Sequence, residues 1–162
     1  MPTAAIIGGG VIGSAWASRF LLNGWEVRFH DPALNSEAVL HKVLDKARRW
    51  VPEVYDRLPA EGTLTLCTSI ADAVSGADWV QESTPERLEI KLAVLAEIQG
   101  SCAAEAIVAS STSGFMPSEL QADSARPEQI LVAHPYNPVY LLSLIHISEP
   151  TRRYAIAYDV FC

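Results

Sequence analysis

Two polar segments in the second half of the chain carry residue types suited to acid–base chemistry. One is S-S-T-S-G over Ser110–Gly114, and the other begins at His134 and includes Asn137. A neutral imidazole can remove the proton of an alcohol, while hydroxyl and amide donors polarise the oxygen on which charge develops. This set predicts the oxidation of an alcohol, with His134 as base and Ser113 and Asn137 as hydrogen-bond donors. A structural histidine at a strand end and an ordinary Ser/Thr turn are the alternatives.

A glycine-rich segment near the start of the chain matches the pattern of a dinucleotide site. Gly8–Gly13 reads G-x-G-x-x-G, follows an apolar run and opens a helical pattern. In this motif Gly8 permits a tight turn, Gly10 lets the backbone approach a pyrophosphate, and Gly13 allows close packing of helix on strand. The alternative is a glycine turn that binds nothing.

The residues around this segment predict which dinucleotide it binds. Val11 and Ile12 begin the helix, whose N–H groups and dipole favour phosphates. Asp31 lies 18 residues after Gly13, at the end of the next apolar run. A carboxylate there accepts hydrogen bonds from ribose hydroxyls and repels a 2′-phosphate, so the predicted cofactor is NAD rather than NADP.

These residues need a scaffold that brings them together, and the hydrophobic pattern supplies one. Short apolar runs alternate with helical patterns, which implies β-α-β units and a parallel sheet. The predicted strands are Ala4–Ile7, Trp25–His30, Thr63–Thr68, Asp78–Ser83, Ala106–Ser111 and Gln129–His134. The predicted helices are Val11–Gly24, Glu37–Trp50, Ile70–Val74, Leu88–Gln99 and Pro117–Gln121. We therefore predict a Rossmann-type, doubly wound α/β domain, in which ligands bind beyond the carboxyl ends of the strands.

Composition narrows the class of protein. A chain of 162 residues suits one domain, and a net charge of -7 argues against a general nucleic-acid binder. Three cysteines without C-x-x-C spacing favour a reducing compartment and no metal site. No stretch approaches the ~20 apolar residues of a membrane span, and the N-terminus lacks the basic region of a signal peptide. The expected location is the cytoplasm, with no membrane partner.

Four segments together resemble the NAD-dependent 3-hydroxyacyl-CoA dehydrogenase superfamily. They are I-I-G-G-G-V-I-G-S-A-W-A-S-R-F, G-A-D-W-V-Q-E-S-T-P-E-R-L-E-I-K, A-S-S-T-S-G and V-A-H-P-Y-N-P-V-Y-L-L, and the resemblance extends from Thr3 to about Leu141. It implies that Ser113, His134 and Asn137 are active-site residues. It also implies that Glu86 and Lys91 line the cofactor site, the alternative for these two being an exposed helix start.

Departures from the usual pattern bear on the substrate. Ser111 stands where acyl-CoA enzymes usually carry Asn, and H-P-Y-N-P replaces H-F-F-N-P. Residues 31–76 also look short for the helical hairpin that contacts CoA. The sequence is most similar to the carnitine-oxidising members of the superfamily. The predicted small-molecule substrate is therefore L-carnitine, with a 3-hydroxyacyl-CoA as the alternative. Aromatic faces bind quaternary ammonium groups, which makes Tyr136 and Tyr140 candidates, with core packing as their alternative.

The resemblance stops near Leu141. The superfamily's catalytic Glu should lie twelve positions after the histidine, where this chain has His146, and a helical domain that covers the substrate and forms a dimer interface should follow. Residues 142–152 instead resemble the translation of a transposon-end sequencing adapter. We expect 1–141 to be an incomplete NAD-binding domain and 142–162 a non-native tail. In that tail no functional role is expected for His146, Glu149, Arg152 or Arg153.

Two further expectations follow from this division. The 162-residue chain is expected to be an NAD-binding module without dehydrogenase turnover, while the whole protein is expected to form a homodimer through its C-terminal domain. The outer edge of the sixth strand is expected to be open, and residues 141–147 are apolar and β-prone enough to pair with it.

Overall fold

The computed structural model describes residues 1–142 and 144–147, and it confirms the Rossmann-type sheet. The strands are β1 Thr3–Ile7, β2 Glu26–His30, β3 Leu64–Leu66, β4 Trp79–Glu82, β5 Ile107–Ser110, β6 Ile130–Pro135 and β7 Leu144–Ile147. The helices are α1 Val11–Leu22, α2 Ser36–Trp50, α3 Ile70–Val74, α4 Leu88–Ser101 and α5 Pro117–Gln121, with short 3-10 turns at Val51–Glu53 and Pro127–Gln129.

The sheet order is β3-β2-β1-β4-β5-β6-β7, and the pairings among the first six strands are parallel. The order runs outward from β1 in both directions, which is the doubly wound topology predicted from the alternation of strands and helices. Every residue of β1 and β4 is buried, as expected for central parallel strands covered on both faces.

Two hydrophobic layers sandwich the sheet. On one face α1 and α2 pack against inward side chains such as Ile6 and Phe29, and on the other α3 and α4 pack against Ile7 and Val80. The α1 face includes an aromatic cluster in which the rings of Phe20 and Trp25 lie 4.9 Å apart. This packing fixes α1, and with it the glycine loop that precedes it.

The predicted elements agree with the observed ones to within one or two residues at each end. The differences of two residues are at the C-terminal ends of α1, β3 and α4. Helix α1 ends at Leu22 because Asn23 caps it and Gly24 leaves the helix with a φ of +79°. None of the helices in residues 1–142 has the length and apolar character needed to cross a membrane.

The outer edge of β6 is paired with β7, which runs antiparallel to it. The register places Leu144 opposite Pro135 and Ile147 opposite Val132, with His146 opposite Ala133. The predicted pairing of this segment is therefore present. Glu149, Arg152 and Arg153 lie outside the described residues, and the division of the chain at residue 142 stays a prediction.

Candidate active site

The strand register brings the chemistry-bearing segments to one edge of the sheet. Ile7 pairs with His30 on one side and with Glu82 on the other. Glu82 pairs in turn with Ser110, and Ser110 with Val132. These residues lie at or near the carboxyl ends of five strands. The glycine loop, the acidic residue after β2, the S-S-T-S-G segment and the predicted base follow them directly, so all four share one edge.

Each glycine of the motif has a separate physical role. Gly8 has a φ of +103°, and a Cβ there would lie 2.6 Å from the carbonyl carbon and oxygen of Ser83. A Cβ on Gly13 would lie 1.8 Å from the Gly8 oxygen. At Gly10 a Cβ would meet nothing within 4 Å, because that residue faces open space at the start of α1. The first and third glycines are thus required by the fold, and the second leaves room for a ligand.

A cavity of about 650 Å³ opens beside this loop. It is bounded by Gly8–Gly10, by Asp31–Ala33 after β2, by Ser83–Pro85 after β4 and by apolar side chains that include Ile70 and Val94. Among the described residues, those lining it include no Lys or Arg, so a 2′-phosphate would meet a carboxylate without a cation. The cavity and its open glycine fit a dinucleotide with a free ribose diol.

Asp31 is held in place by the backbone around it. Its Oδ2 accepts a hydrogen bond from the Gly9 N–H, and its Oδ1 accepts one from the Ala33 N–H at 2.7 Å. The beginning of α1 projects Val11 outward, 55% exposed, with Ile12 partly buried beneath it. The carboxylate is therefore pre-oriented at the cavity wall, and within the described part of the chain no cationic side chain pairs with it.

The loop after β5, residues 111–114, is called the Ser113 loop. The carboxylate of Glu86, in the segment before α4, accepts hydrogen bonds from it. Oε1 of Glu86 accepts hydrogen bonds from the Thr112 hydroxyl at 2.6 Å and from the N–H groups of Ser113 and Gly114 at 2.8 Å each. The Ser113 hydroxyl lies 3.4 Å from the same oxygen. Partial burial opposes ionisation, but these hydrogen bonds and the charge of Lys91 prevail and lower the pKa of Glu86 to about 2.

Lys91 is not an exposed helix residue, so that alternative is wrong for this position. Its side chain is 1% exposed, and Nζ lies 3.0 Å from Oε1 of Glu82 and 3.4 Å from Oε2 of Glu86. The Glu86 side chain is 42% exposed. The structure thus places Glu86 at the surface of the site and Lys91 behind it.

Glu82, at the end of β4, is absent from the sequence-predicted set although its carboxylate is fully buried. A signal for it exists in the sequence. Gln81 and Glu82 are consecutive polar residues in a strand that is otherwise apolar, and buried polar groups require partners.

Ser111 is partly buried at the start of the loop after β5, which gives the departure from the acyl-CoA motif a structural setting. Its hydroxyl accepts a hydrogen bond from Nε2 of Gln81 at 2.9 Å and lies 2.8 Å from the hydroxyl of Ser83. Gln81 also accepts a hydrogen bond from the indole of Trp79 at 3.0 Å. The side chain at 111 therefore links the loop after β5 to Gln81 and to Ser83, which lines the cavity.

The predicted base and its neighbours lie at the end of β6. His134 is partly buried, Asn137 is exposed, and the segment after them is tied to α1 by Arg19, whose guanidinium donates to the Val139 carbonyl at 3.4 Å. Within residues 1–142 no carboxylate hydrogen-bonds to the His134 imidazole. The two tyrosines separate clearly, because Tyr140 is 9% exposed in the core and Tyr136 is 49% exposed.

Comparison with known families agrees with this geometry. A model of the family described as 3-hydroxyacyl-CoA dehydrogenase, NAD binding domain, matches residues 3–153. The chain belongs to this family. The predicted superfamily, and NAD as the cofactor of this domain, are thereby confirmed.

Individual relatives of this NAD-binding domain point to a narrower group. An L-carnitine dehydrogenase/betainyl-CoA thioesterase of Ruegeria pomeroyi is 57% identical over 148 residues, covering 91% of this chain and 30% of that protein. An L-carnitine dehydrogenase of Mesorhizobium japonicum is 47% identical over 159 residues, covering 97% of this chain and 44% of that protein. The chain thus spans less than half the length of these curated relatives.

A solved structure shows the same architecture. The crystal structure of an NAD⁺-dependent dismutase, 5-formyl-3-hydroxy-2-methylpyridine 4-carboxylic acid 5-dehydrogenase, superposes with a TM-score of 0.78 at 36% identity. The match covers 86% of this NAD-binding domain and 46% of that chain.

Proposed function

We propose that the chain is the NAD-binding part of a dehydrogenase that oxidises the 3-hydroxyl of L-carnitine to 3-dehydrocarnitine. The observation that carries this proposal is the 57% identity over 148 residues to a protein named for L-carnitine dehydrogenase activity. A 3-hydroxyacyl-CoA is the second candidate substrate, favoured by the description of the matching family.

The cofactor would be held by the edge that the glycine loop forms. Gly8, Gly10 and Gly13 would shape the approach to the pyrophosphate, and the N–H groups at Val11 and Ile12, at the start of α1, would donate to it. Asp31 would accept the ribose hydroxyls, and Glu86 would line the nicotinamide end. Lys91, which is buried, would act there through Glu86 and not by direct contact. When bound, NAD supplies the hydride acceptor.

Three side chains would handle the hydroxyl of the substrate. His134 accepts the hydroxyl proton as the carbon–hydrogen bond breaks, and it returns that proton in the reverse reaction. Ser113 and Asn137 donate hydrogen bonds to the same oxygen and stabilise the charge that develops on it. An imidazole base of this kind is strengthened by an acidic neighbour that fixes its tautomer. We infer that, in the whole protein, this acid comes from residues C-terminal to Leu141, where the resemblance to the superfamily stops.

The assembly and location of the whole protein belong to the same proposal. We infer that the whole protein is a homodimer, formed through a region that the longer relatives have and this chain does not span. We also infer that its substrates are small molecules only. Three cysteines without a C-x-x-C pair favour the reducing cytoplasm.

A chimaera tests the substrate directly. Residues 1–141 replace the corresponding segment of the Mesorhizobium japonicum L-carnitine dehydrogenase, and NADH formation is followed with L-carnitine and with 3-hydroxybutyryl-CoA. We expect carnitine-dependent turnover that falls at least about 10³-fold in the His134→Ala chimaera, since the base is lost. Turnover of the CoA ester alone would overturn the carnitine proposal.

The isolated 162-residue chain provides the complementary test. We expect it to bind NAD without forming NADH from carnitine, because it carries the nucleotide site without an acid for His134 among residues 1–142. Carnitine-dependent NADH formation by this chain would contradict that expectation.

A further inference from the structure

Glu82 sits at the centre of a buried hydrogen-bond network between β4, α4 and β5. Its carboxylate is 0% exposed and accepts hydrogen bonds from Lys91 Nζ at 3.0 and 3.1 Å. The N–H and the hydroxyl of Thr84 each donate to Oε1 at 2.6 Å, and the Ser110 hydroxyl donates to Oε2. Five hydrogen bonds and one opposite charge thus compensate the loss of water around this ion.

Two routes lead from this carboxylate to the Ser113 loop. The short route passes through Ser110, whose hydroxyl accepts a hydrogen bond from the Thr112 N–H at 3.3 Å. The longer route passes through Lys91, which lies 3.4 Å from Oε2 of Glu86. With that oxygen held by the ammonium, the other oxygen of Glu86 faces the loop and accepts its N–H groups. The Lys91 ammonium thus lies between the carboxylates of Glu82 and Glu86.

A third link leads to the wall of the nucleotide cavity. Thr84, which donates twice to Glu82, lines that cavity between Ser83 and Pro85. Its carbonyl also accepts a hydrogen bond from Lys91 Nζ at 3.2 Å. The cavity wall and the Ser113 loop are therefore both connected to the buried ion pair of Glu82 and Lys91.

We propose that Glu82 is a positioning residue that, through Lys91 and Glu86, fixes the Ser113 loop against the wall of the cofactor cavity. Its importance for catalysis rests on the proposed function, in which the Ser113 hydroxyl contacts the reacting oxygen. Glu82 itself is 0% exposed and does not line the cavity, so it would contact neither substrate nor cofactor. Lys91 is part of the same positioning arrangement, because it connects Glu82 to Glu86.

A role in stability alone makes a different prediction from a role in positioning. A buried ion pair can often be replaced by neutral residues of similar size without loss of stability, whereas removing one partner leaves an unpaired charge. If the pair only stabilises the fold, the neutral double variant Glu82→Gln/Lys91→Met should behave as the native chain does. If the pair positions the Ser113 loop, the double variant should have a free energy of unfolding close to that of the native chain, but its Ser113 loop should be less well ordered.

Amide hydrogen exchange by NMR on the 17.6 kDa chain reads the loop directly. In Lys91→Met and in the double variant we expect the N–H groups of Ser113 and Gly114 to exchange at least tenfold faster, because Glu86 is no longer held. In the double variant, which leaves no unpaired charge, the Val108 N–H in the middle of β5 should keep its native rate. Glu89→Gln, which removes an exposed charge from the same helix, is the matched control and should change neither rate.

Affinity for NAD, measured on the same variants by calorimetry, should fall at least threefold with the faster exchange. Ser110→Ala, a smaller change that breaks only the short route, should give intermediate exchange at Thr112 and Ser113. Native exchange rates at Ser113 and Gly114 in Lys91→Met and the double variant would overturn the inference, as would equal acceleration at Val108 in the double variant. The carnitine chimaera can fail independently, since exchange in this chain does not depend on which substrate is oxidised.

Discussion

Replacing single glycines of the nucleotide loop should separate binding of the cofactor from stability of the fold. Gly10 has a φ of -66° and a ψ of -174°, which any residue can adopt, and a Cβ there would meet no atom of the protein within 4 Å. Gly10→Ala therefore introduces a methyl group only into the space that we assign to the pyrophosphate. The same change at Gly8 would enter a backbone with a φ of +103° and collide with Ser83.

The geometry sets the expected magnitudes. Gly10→Ala should lower the free energy of unfolding by no more than about 1 kcal/mol, because alanine is a poorer N-cap than glycine but meets no steric conflict here. It should weaken NAD binding at least tenfold, about 1.4 kcal/mol. At Gly8 the backbone strain alone costs about 1–3 kcal/mol. The 2.6 Å contacts with the Ser83 backbone add to that cost, so we expect Gly8→Ala to lose about 3–5 kcal/mol in total.

Two measurements on purified chains test this pair of variants. Urea denaturation followed by tryptophan fluorescence gives the stability of each, and isothermal titration calorimetry gives the affinity for NAD. Native affinity in Gly10→Ala would show that the pyrophosphate does not pass this residue. Native stability in Gly8→Ala would refute the argument from the positive φ and the contact with Ser83.

Three other perturbations have outcomes that the structure fixes. Asp31→Asn should raise the affinity for NADP relative to NAD about tenfold by calorimetry, because a charge repelling the 2′-phosphate is removed. The pKa of Glu86 is lowered in the folded chain, so its ionised form stabilises the fold at neutral pH. That contribution is lost as pH falls from about 4.5 towards 2; screening at this 42% exposed side chain limits it to about 1 kcal/mol. Gly62→Ala should lower the free energy of unfolding, measured in urea, by at least about 2 kcal/mol, since its Cβ would lie 1.8 Å from the Trp25 oxygen. Gly100→Ala in α4 should raise it by about 0.5–1 kcal/mol, because its Cβ meets no atom within 4 Å and alanine favours the helix.

Each of these has a control and a result that contradicts it. An unchanged NADP-to-NAD ratio in Asp31→Asn would remove the carboxylate from cofactor selection. For the pH dependence, Glu86→Gln is the reference, and identical stability profiles in the two chains between pH 4.5 and 2 would rule out the proposed contribution. For the glycines, a loss of stability in Gly100→Ala comparable to that in Gly62→Ala would mean that steric contact does not decide the outcome.

The sequence predicted the order of elements well because central parallel strands leave a strong pattern. The run that became β1 is almost continuously apolar, since both faces of this strand are covered. The glycine motif was equally informative because backbone conformation and close packing at Gly8 and Gly13 admit no other residue. The Asp31 prediction followed from its place after the second strand.

The predicted site residues were identified by type and position, but their partners were not. Nothing in residue spacing indicates that Lys91 turns inward to Glu82 and not outward to solvent. Helical periodicity is ambiguous there, because α4 is apolar on more than one side. Tyr136 and Tyr140 were equivalent in the sequence and differ in the structure, since the turn after β6 sends one into the core and leaves the other exposed.

The sequence by itself thus determined the fold class, the nucleotide loop and the family, because each depends on local pattern or backbone restriction. Only the tertiary structure decided how the charges at 82, 86 and 91 are connected. That connection joins β4, α4 and the loop after β5, and it forms where strand register brings distant segments within hydrogen-bond range. A buried ion acquires its role from the groups that replace water around it, and those groups come together only when the sheet is assembled.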